Sequence, residues 1–170
     1  MADLTRGRVI AKVRAGESLE GTDLSGLDIT GANLSSGDLK RANLKGANLT
    51  GAYLTGTHLE GANLERADLK SARLRSANLS EANLSGAKLI RTDMSGANLS
   101  GANLSYANLS DANLWKANLT GANLLHANLT RALMAMANLK GANLKQANLT
   151  DTKLIQAELT DTILPEGFEE

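Results

Sequence analysis

Side chains that carry out acid–base or metal chemistry are scarce in this chain. Its 170 residues include two histidines, His58 and His126, and no cysteine. The absence of cysteine excludes thiol nucleophiles, thiolate metal ligands and disulfide bonds. A shared metal ion or a proton relay would therefore need the two histidines to lie together in the folded chain. Whether they do depends on the elements that position them.

The chain repeats itself every five residues. Stepping by five from Leu19 to Leu164 meets 30 central positions without an insertion, of which 27 are Leu and the others are Ile29, Met94 and Met134. Ala stands two residues before 22 of these centres, and Asn stands one residue before 16 of them. A five-residue step advances about 140° around an α-helix and reverses the face of a β-strand, so neither element buries this pattern. The period instead predicts a solenoid built one repeat at a time.

Each repeat is expected to form one side and one corner of a coil. In the triplet Ala-Asn-Leu, extended chain places Ala and Leu on one side and Asn on the other. The two residues that follow, such as Ser-Gly, Thr-Gly or Lys-Gly, have the chemistry of a turn. Stacked coils would pair the backbone N–H and C=O groups that such short segments leave free.

These repeats resemble the motif of the pentapeptide repeat family, Ala-(Asp/Asn)-Leu-x-x, over residues 17–164. The resemblance implies an all-β solenoid, a right-handed quadrilateral β-helix in which four repeats make one coil. It also implies about seven and a half coils, which at about 4.8 Å per coil gives a rod roughly 36 Å long. Residues 20 positions apart would then lie above one another on one of four faces.

The same register predicts how the chain is divided. We expect residues 17–164 to form the β-helix, residues 1–16 an N-terminal cap and residues 165–170 a C-terminal tail. Within the cap, residues 4–14 have the apolar spacing of a short helix, and Gly16 is a stop signal. We expect this basic helix to cover the N-terminal mouth, because open solenoid ends expose unpaired strand edges.

The tail is expected to protect the other end. Pro165 cannot donate to a backbone ladder, and Phe168 is predicted to fold back as a plug. The tail is also acidic, with Glu166, Glu169 and Glu170. A charged terminus of this kind usually increases solubility, and head-to-tail association of the basic and acidic ends is the alternative.

The register separates the groups that could do chemistry. His58 and His126 fall on different faces and more than three coils apart, so they cannot share a metal ion or a proton. Most aspartates replace Asn in the motif, and the glycines recur at corners without the context of a phosphate loop. We therefore expect no enzyme, no cofactor and no metal site.

Composition excludes other classes of partner. Lys plus Arg and Asp plus Glu both number 18, so no bulk field attracts the protein to nucleic acid or to a membrane. The first residues lack the apolar core of a signal peptide, and no apolar run approaches membrane-spanning length. We expect a cytoplasmic protein without a small-molecule substrate.

Most outward positions of the repeats are polar, and one group of apolar residues at such positions predicts a binding face. Trp115, Ala135 and Ile155 each follow a centre and are spaced by 20 residues, so they are predicted to stack in one row. Leu133 and Met136 flank the row, and Leu133 stands where 16 other repeats have Asn. An apolar strip with a Trp is typical of a partner site or a self-association face. Tolerated surface hydrophobes are the alternative, but three in one register favour the interaction.

Three classes of function follow from these observations. The first is a non-catalytic scaffold, a rigid rod that presents one face to a protein partner or to itself in a homodimer. The second comes from the resemblance, because some pentapeptide repeat proteins mimic duplex DNA, bind type II topoisomerases and give quinolone resistance. Such mimicry needs a strongly negative surface, and those members often have Phe centres and a C-terminal dimerising module. This chain is neutral, has no Phe centre and ends six residues after its last centre, which disfavours the second class.

The third class is binding to ice or to another crystal surface through rows of Thr. One row contains Thr30, Thr50, Thr130 and Thr150. It is interrupted by Lys70, Ile90 and Ser110, which disfavours a regular binding plane. The scaffold is therefore the preferred interpretation.

Overall fold

The computed structural model describes residues 4–168. Residues 1–3 of the expected cap, and Glu169 and Glu170 of the expected tail, lie outside the described residues. The β structure consists of single-residue parallel bridges between residues 20 positions apart, from Asp23 with Asn43 to Asn143 with Ile163. Four repeats thus complete each coil, and the molecule is the right-handed quadrilateral β-helix that the family resemblance implies.

Backbone hydrogen bonds hold each coil to its two neighbours. The N–H of a centre donates to the coil above, as from Leu64 to Asn83 O at 2.7 Å. The N–H before the centre donates to the coil below, as from Asn63 to Ala42 O at 3.0 Å. The turn between repeats is closed by a bond such as Ala67 N–H to Leu64 O at 3.0 Å. Short segments therefore meet their backbone requirements through stacking, as predicted.

The motif Asn has a structural role that the sequence analysis did not foresee. Its Oδ1 accepts the N–H of the residue two positions later, as between Asn63 and Glu65 at 3.1 Å. Coil-to-coil pairing leaves this N–H free, so Asn or Asp completes the pairing within the repeat. On one face the Nδ2 groups also donate to the side chain 20 residues below, which forms a ladder that runs from Asp23 to Asn143.

The core is a column of Leu and Ala inside the coils. From Leu19 to Leu144 every central side chain is at most 2% exposed. Where Thr replaces Ala, as at Thr57 and Thr92, the hydroxyl donates to a carbonyl oxygen of the preceding coil at 2.9 Å. A buried hydroxyl is tolerated there because it keeps a hydrogen-bond partner.

The N-terminal end is covered by helix α1, Arg6–Arg14. Helix α1 begins two residues later than the predicted start at residue 4, because Thr5 is its N-cap and accepts from Arg8 N–H. Val9 is buried against the first coil. Gly37 stands at a position where most repeats have Ala, and a Cβ there would lie 3.1 Å from the Val13 side chain. The missing methyl group makes room for the helix.

Within residues 4–168, no element fully covers the C-terminal end of the coils. Leu149, Leu154 and Leu159 are only half-buried and line a cavity of about 500 Å³. Phe168 lies on the wall of this cavity and does not fill it. Phe168 is half-buried and folds back beside the inner leucines, as expected, but the cavity left next to it means that the predicted plug is incomplete.

Candidate functional site

One face of the rod carries an apolar groove. Trp115, Leu133, Ala135 and Ile155, which we call the Trp115 groove, line a surface cavity of about 530 Å³. The exposed fractions are 45% for Trp115, 48% for Leu133 and 68% for Ile155. The groove is assembled by the coil stacking, since residues 20 positions apart come together on adjacent coils.

Met136 belongs to the neighbouring corner rather than to the groove. It is exposed, its φ is 59°, and it does not contribute to the wall of the cavity. Corners take a left-handed backbone because the chain must rotate there, which is why Gly is frequent at this position. The five predicted residues thus form a groove of four with Met136 beside it.

Leu133 changes the hydrogen bonding as well as the polarity of the face. In the coil below, Asn113 Oδ1 accepts the N–H of Trp115 at 3.1 Å and so holds that segment. Leu133 has no such acceptor, and the N–H of Ala135 has no partner among residues 4–168. The N–H of Ile155, two positions after Lys153, also has no partner in that range. The groove therefore combines apolar walls with two free backbone donors.

The border of the groove is positively charged. Lys153 and Arg75 lie on its rim, and Arg75 Nε is 3.8 Å from Asp93 Oδ2. Lys116 Nζ lies 4.4 Å from the centre of the Trp115 ring, a cation–π geometry that restrains the indole. Three cations and one carboxylate leave a surplus of two positive charges around the groove, although the whole chain is neutral.

The two histidines remain apart, as their register predicts. His126 stacks on Tyr106, with ring centres 4.7 Å apart and planes at 22°. His58 Nδ1 lies 3.5 Å from Glu60 Oε1. Within residues 4–168, no group of three or more histidines or carboxylates is placed to hold a metal ion.

Surface ion pairs join adjacent coils elsewhere. The Arg131 guanidinium donates to both carboxylate oxygens of Asp111, at 2.7 and 2.8 Å. This hydrogen bonding is the main reason that the pKa of Asp111 lies below its ordinary value and that the pKa of Arg131 lies above its ordinary value.

Within residues 4–168, no helix has both the length and the apolar character needed to cross a membrane.

The coils define the class of protein as a β-solenoid of the quadrilateral type. The chain belongs to the pentapeptide repeat family, whose model, "Pentapeptide repeats", matches it in eight copies between residues 17 and 165. The resemblance inferred from the sequence is therefore confirmed. No curated protein matches the chain.

Solved structures of pentapeptide repeat proteins are similar to this chain. HetL, which is involved in heterocyst differentiation regulation in the cyanobacterium Nostoc sp. strain PCC 7120, is 29% identical, with 99% of this chain and 100% of that chain covered and a TM-score of 0.45. QnrB1, a plasmid-mediated fluoroquinolone resistance protein, is 22% identical, with 83% and 88% covered and a TM-score of 0.51. The protein alr5209 from Nostoc PCC 7120 is 38% identical, with 60% and 77% covered and a TM-score of 0.34. The likeness to QnrB1 shows the fold alone.

Proposed function

We propose that the protein is a non-catalytic scaffold that binds a protein partner through the Trp115 groove. The observation that carries the proposal is the exposure of Trp115, Leu133 and Ile155 together in one groove. Exposed apolar area costs about 25 cal/mol per Å² in water, so a partner that covers it gains that free energy. Trp is also one of the residue types that are enriched among the anchors of interfaces.

The polar groups of the groove suggest the chemistry of the partner. The free N–H groups of Ala135 and Ile155 suit carbonyl or carboxylate oxygens. The surplus of positive charge from Arg75, Lys116 and Lys153 suits acidic side chains around an apolar anchor. A partner segment with an apolar centre and acidic flanks would satisfy both.

The rigidity of the solenoid supports binding. Coil-to-coil hydrogen bonds such as Leu114 N–H to Leu133 O, at 2.7 Å, fix the backbone on both sides of the groove. A preorganised surface loses little conformational entropy when it binds. The scaffold therefore offers its groove without first having to order it.

Self-association through the same face is the alternative form of this proposal. Isologous contacts dominate homodimers, so two copies would set one Trp115 groove against the other. The positive borders of the two copies would then face and repel each other, which favours an external partner over a second copy. DNA mimicry is less well supported, since 18 basic and 18 acidic residues supply no phosphate-like field.

The proposal is tested by affinity capture from the source cell with three forms of the protein. The first is the wild type, the second carries Trp115→Ser and Leu133→Asn, and the third carries Leu125→Asn on another face as a matched control. We expect one protein to be captured by the wild type and the control but not by the double variant. Capture of the same proteins by all three forms would overturn the proposal.

A further inference from the structure

The two ends of the rod differ in how they are protected. At the N-terminal end, helix α1 covers the first coil, with Val9 buried and Leu4, Ile10 and Val13 packed against the core. At the C-terminal end no equivalent element is present within residues 4–168, and the inner leucines of the last coil are half-exposed. The open end is therefore a second apolar surface, distinct from the Trp115 groove.

The last coil also has unpaired backbone groups. In lower coils, the N–H of every centre donates upward, but the N–H groups of Leu149, Leu154 and Leu159 have no partner in the described chain. The carbonyl oxygens of Ala147 and Thr152 accept no hydrogen bond from residues 4–168 either. Unpaired edges of this kind are sites at which another chain binds.

Helix α1 shows which kind of element fits the end of such a coil. Its aliphatic side chains pack on the inner leucines, and Arg6 Nη2 donates at 3.0 Å to Thr30 O, an edge carbonyl of the first coil. Its other charged residues, Arg8, Lys12 and Arg14, are all basic. An aliphatic helix face with basic side chains thus satisfies both the apolar surface and the edge carbonyls.

The charge of the open end matches such a helix. The last coil and the turn that follows carry Asp151, Glu158, Asp161 and Glu166 against a single cation, Lys153, within residues 146–168. A second copy placed end to end would set this acidic rim against itself, which costs free energy. The α1 helix of a second copy already uses its aliphatic face on its own first coil. The charge pattern therefore favours a different chain with basic groups.

We propose that the open C-terminal end is a docking site for an amphipathic helix of a partner protein. Aliphatic side chains of this helix enter the cavity lined by Leu149, Leu154, Leu159 and Phe168. Basic side chains around them face the acidic rim and donate to the free carbonyl oxygens of the last coil. This site is independent of the Trp115 groove, and the two surfaces together would let the rod join two partners.

The test uses a fluorescent synthetic peptide with the sequence of residues 4–16, LTRGRVIAKVRAG. The full-length protein is titrated into it, and binding is followed by fluorescence anisotropy. The matched control peptide carries Val9→Ser and Val13→Ser, which keeps the charge and removes the aliphatic face. We expect the first peptide to bind and the control peptide to bind at least about ten-fold more weakly, because apolar burial supplies most of the free energy.

Two protein variants locate the site. The variant with Glu158→Lys and Asp161→Lys reverses the acidic rim and is expected to weaken binding at least about ten-fold. The control Glu81→Lys makes the charge change of Asp161→Lys alone, four coils below Asp161 and at the same corner, and is expected to leave binding unchanged. The Leu133→Asn variant is also expected to bind the peptide normally, which separates this site from the Trp115 groove.

Three results would overturn the proposal. One is an absence of binding by the wild type, and another is equal binding of the two peptides. The third is a wild-type dimer in sedimentation that excludes the peptide, since this would assign the open end to a second copy.

Discussion

Asn113 and Leu133 are paired in a parallel bridge on adjacent coils, yet only Asn113 accepts a hydrogen bond from the residue two positions later. Asn113 Oδ1 accepts the Trp115 N–H at 3.1 Å, and its Nδ2 donates to Asp93 Oδ1 at 3.2 Å. Leu133 ends this arrangement and leaves the Ala135 N–H without an acceptor in residues 4–168. The apolar groove thus begins where the structural hydrogen bonds of the repeat stop.

Restoring Asn at this position should stabilise the fold while it weakens partner binding. In Leu133→Asn, the new side chain can accept from Ala135 N–H and donate to Asn113, and each net hydrogen bond contributes about 1 kcal/mol. The free energy of unfolding, measured in urea, is expected to rise by about 1–2 kcal/mol. The reciprocal variant Asn113→Leu is expected to lower it. A large loss of stability in Leu133→Asn would show that Leu133 serves the core rather than a surface.

Truncation of a central leucine should cost far more in the middle of the rod than at its open end. Leu104 is fully buried, so Leu104→Ala is expected to lower the free energy of unfolding by about 2–5 kcal/mol. Leu159 is half-buried, so Leu159→Ala is expected to cost less than half of that amount. Equal losses in denaturant unfolding would mean that the C-terminal end is covered in solution.

Gly37 is predicted to be needed for the seating of helix α1. In Gly37→Ala the new methyl group would lie 3.0 Å from Leu34 O and 3.1 Å from both Leu39 Cδ1 and Val13 Cγ1. Overpacking of this kind costs about 1–3 kcal/mol, and it should speed amide hydrogen exchange in α1.

The matched control is Gly121→Ala, where an added Cβ meets no atom within 4 Å but φ is 66°. Gly121→Ala is expected to lower the free energy of unfolding by about 1 kcal/mol through backbone strain alone. Amide hydrogen exchange in α1 is expected to stay unchanged. Faster exchange in both variants would contradict the role assigned to Gly37.

Acid should remove the contribution of the pair between Asp111 and Arg131. Hydrogen bonding to Arg131 lowers the pKa of Asp111 in the folded state, so the carboxylate stabilises the fold above its unfolded pKa. That stabilisation is lost as the pH falls through the lowered folded pKa. Wild type should therefore be more stable than Arg131→Gln at pH 7, and the difference should shrink as the pH falls below about 3.9, the ordinary pKa of Asp. A difference independent of pH would contradict the ion pair.

The protein should not act as a mimic of duplex DNA. Its equal numbers of basic and acidic residues provide no phosphate-like potential. At micromolar concentration it is expected neither to inhibit DNA supercoiling by gyrase nor to protect gyrase from a quinolone. Clear protection in this assay would promote the topoisomerase hypothesis over the scaffold.

The fold could be predicted from the sequence because each repeat contains its own core residue and its own turn. The centres from Leu19 to Leu144 specify the core, and the 20-residue coil places Trp115, Ala135 and Ile155 in one row. The free N–H of Ala135 cannot be predicted from polarity alone, because it depends on the hydrogen bond that the motif Asn makes within the repeat. The absence of Asn or Asp two positions earlier was the signal that reveals it.

Features that depend on the ends of the rod were harder to predict. A residue without a side chain is needed at Gly37 because Val13 packs against this position. Val13 is distant in sequence, so no local pattern predicts this contact. Phe168 was expected to plug the lumen from its apolar character alone. Its reach depends on how the turn after Pro165 is directed, which composition does not determine.

Photo-crosslinking from the groove tests the central claim most directly. A photo-reactive amino acid takes the place of Ala135, and in a matched control it takes the place of Ser85 on the opposite face. After irradiation in the source cell, we predict one discrete adduct with another protein from position 135 and none from position 85. An adduct of two copies of this chain would indicate self-association through the groove. No adduct from position 135, or the same adducts from both positions, would contradict the account.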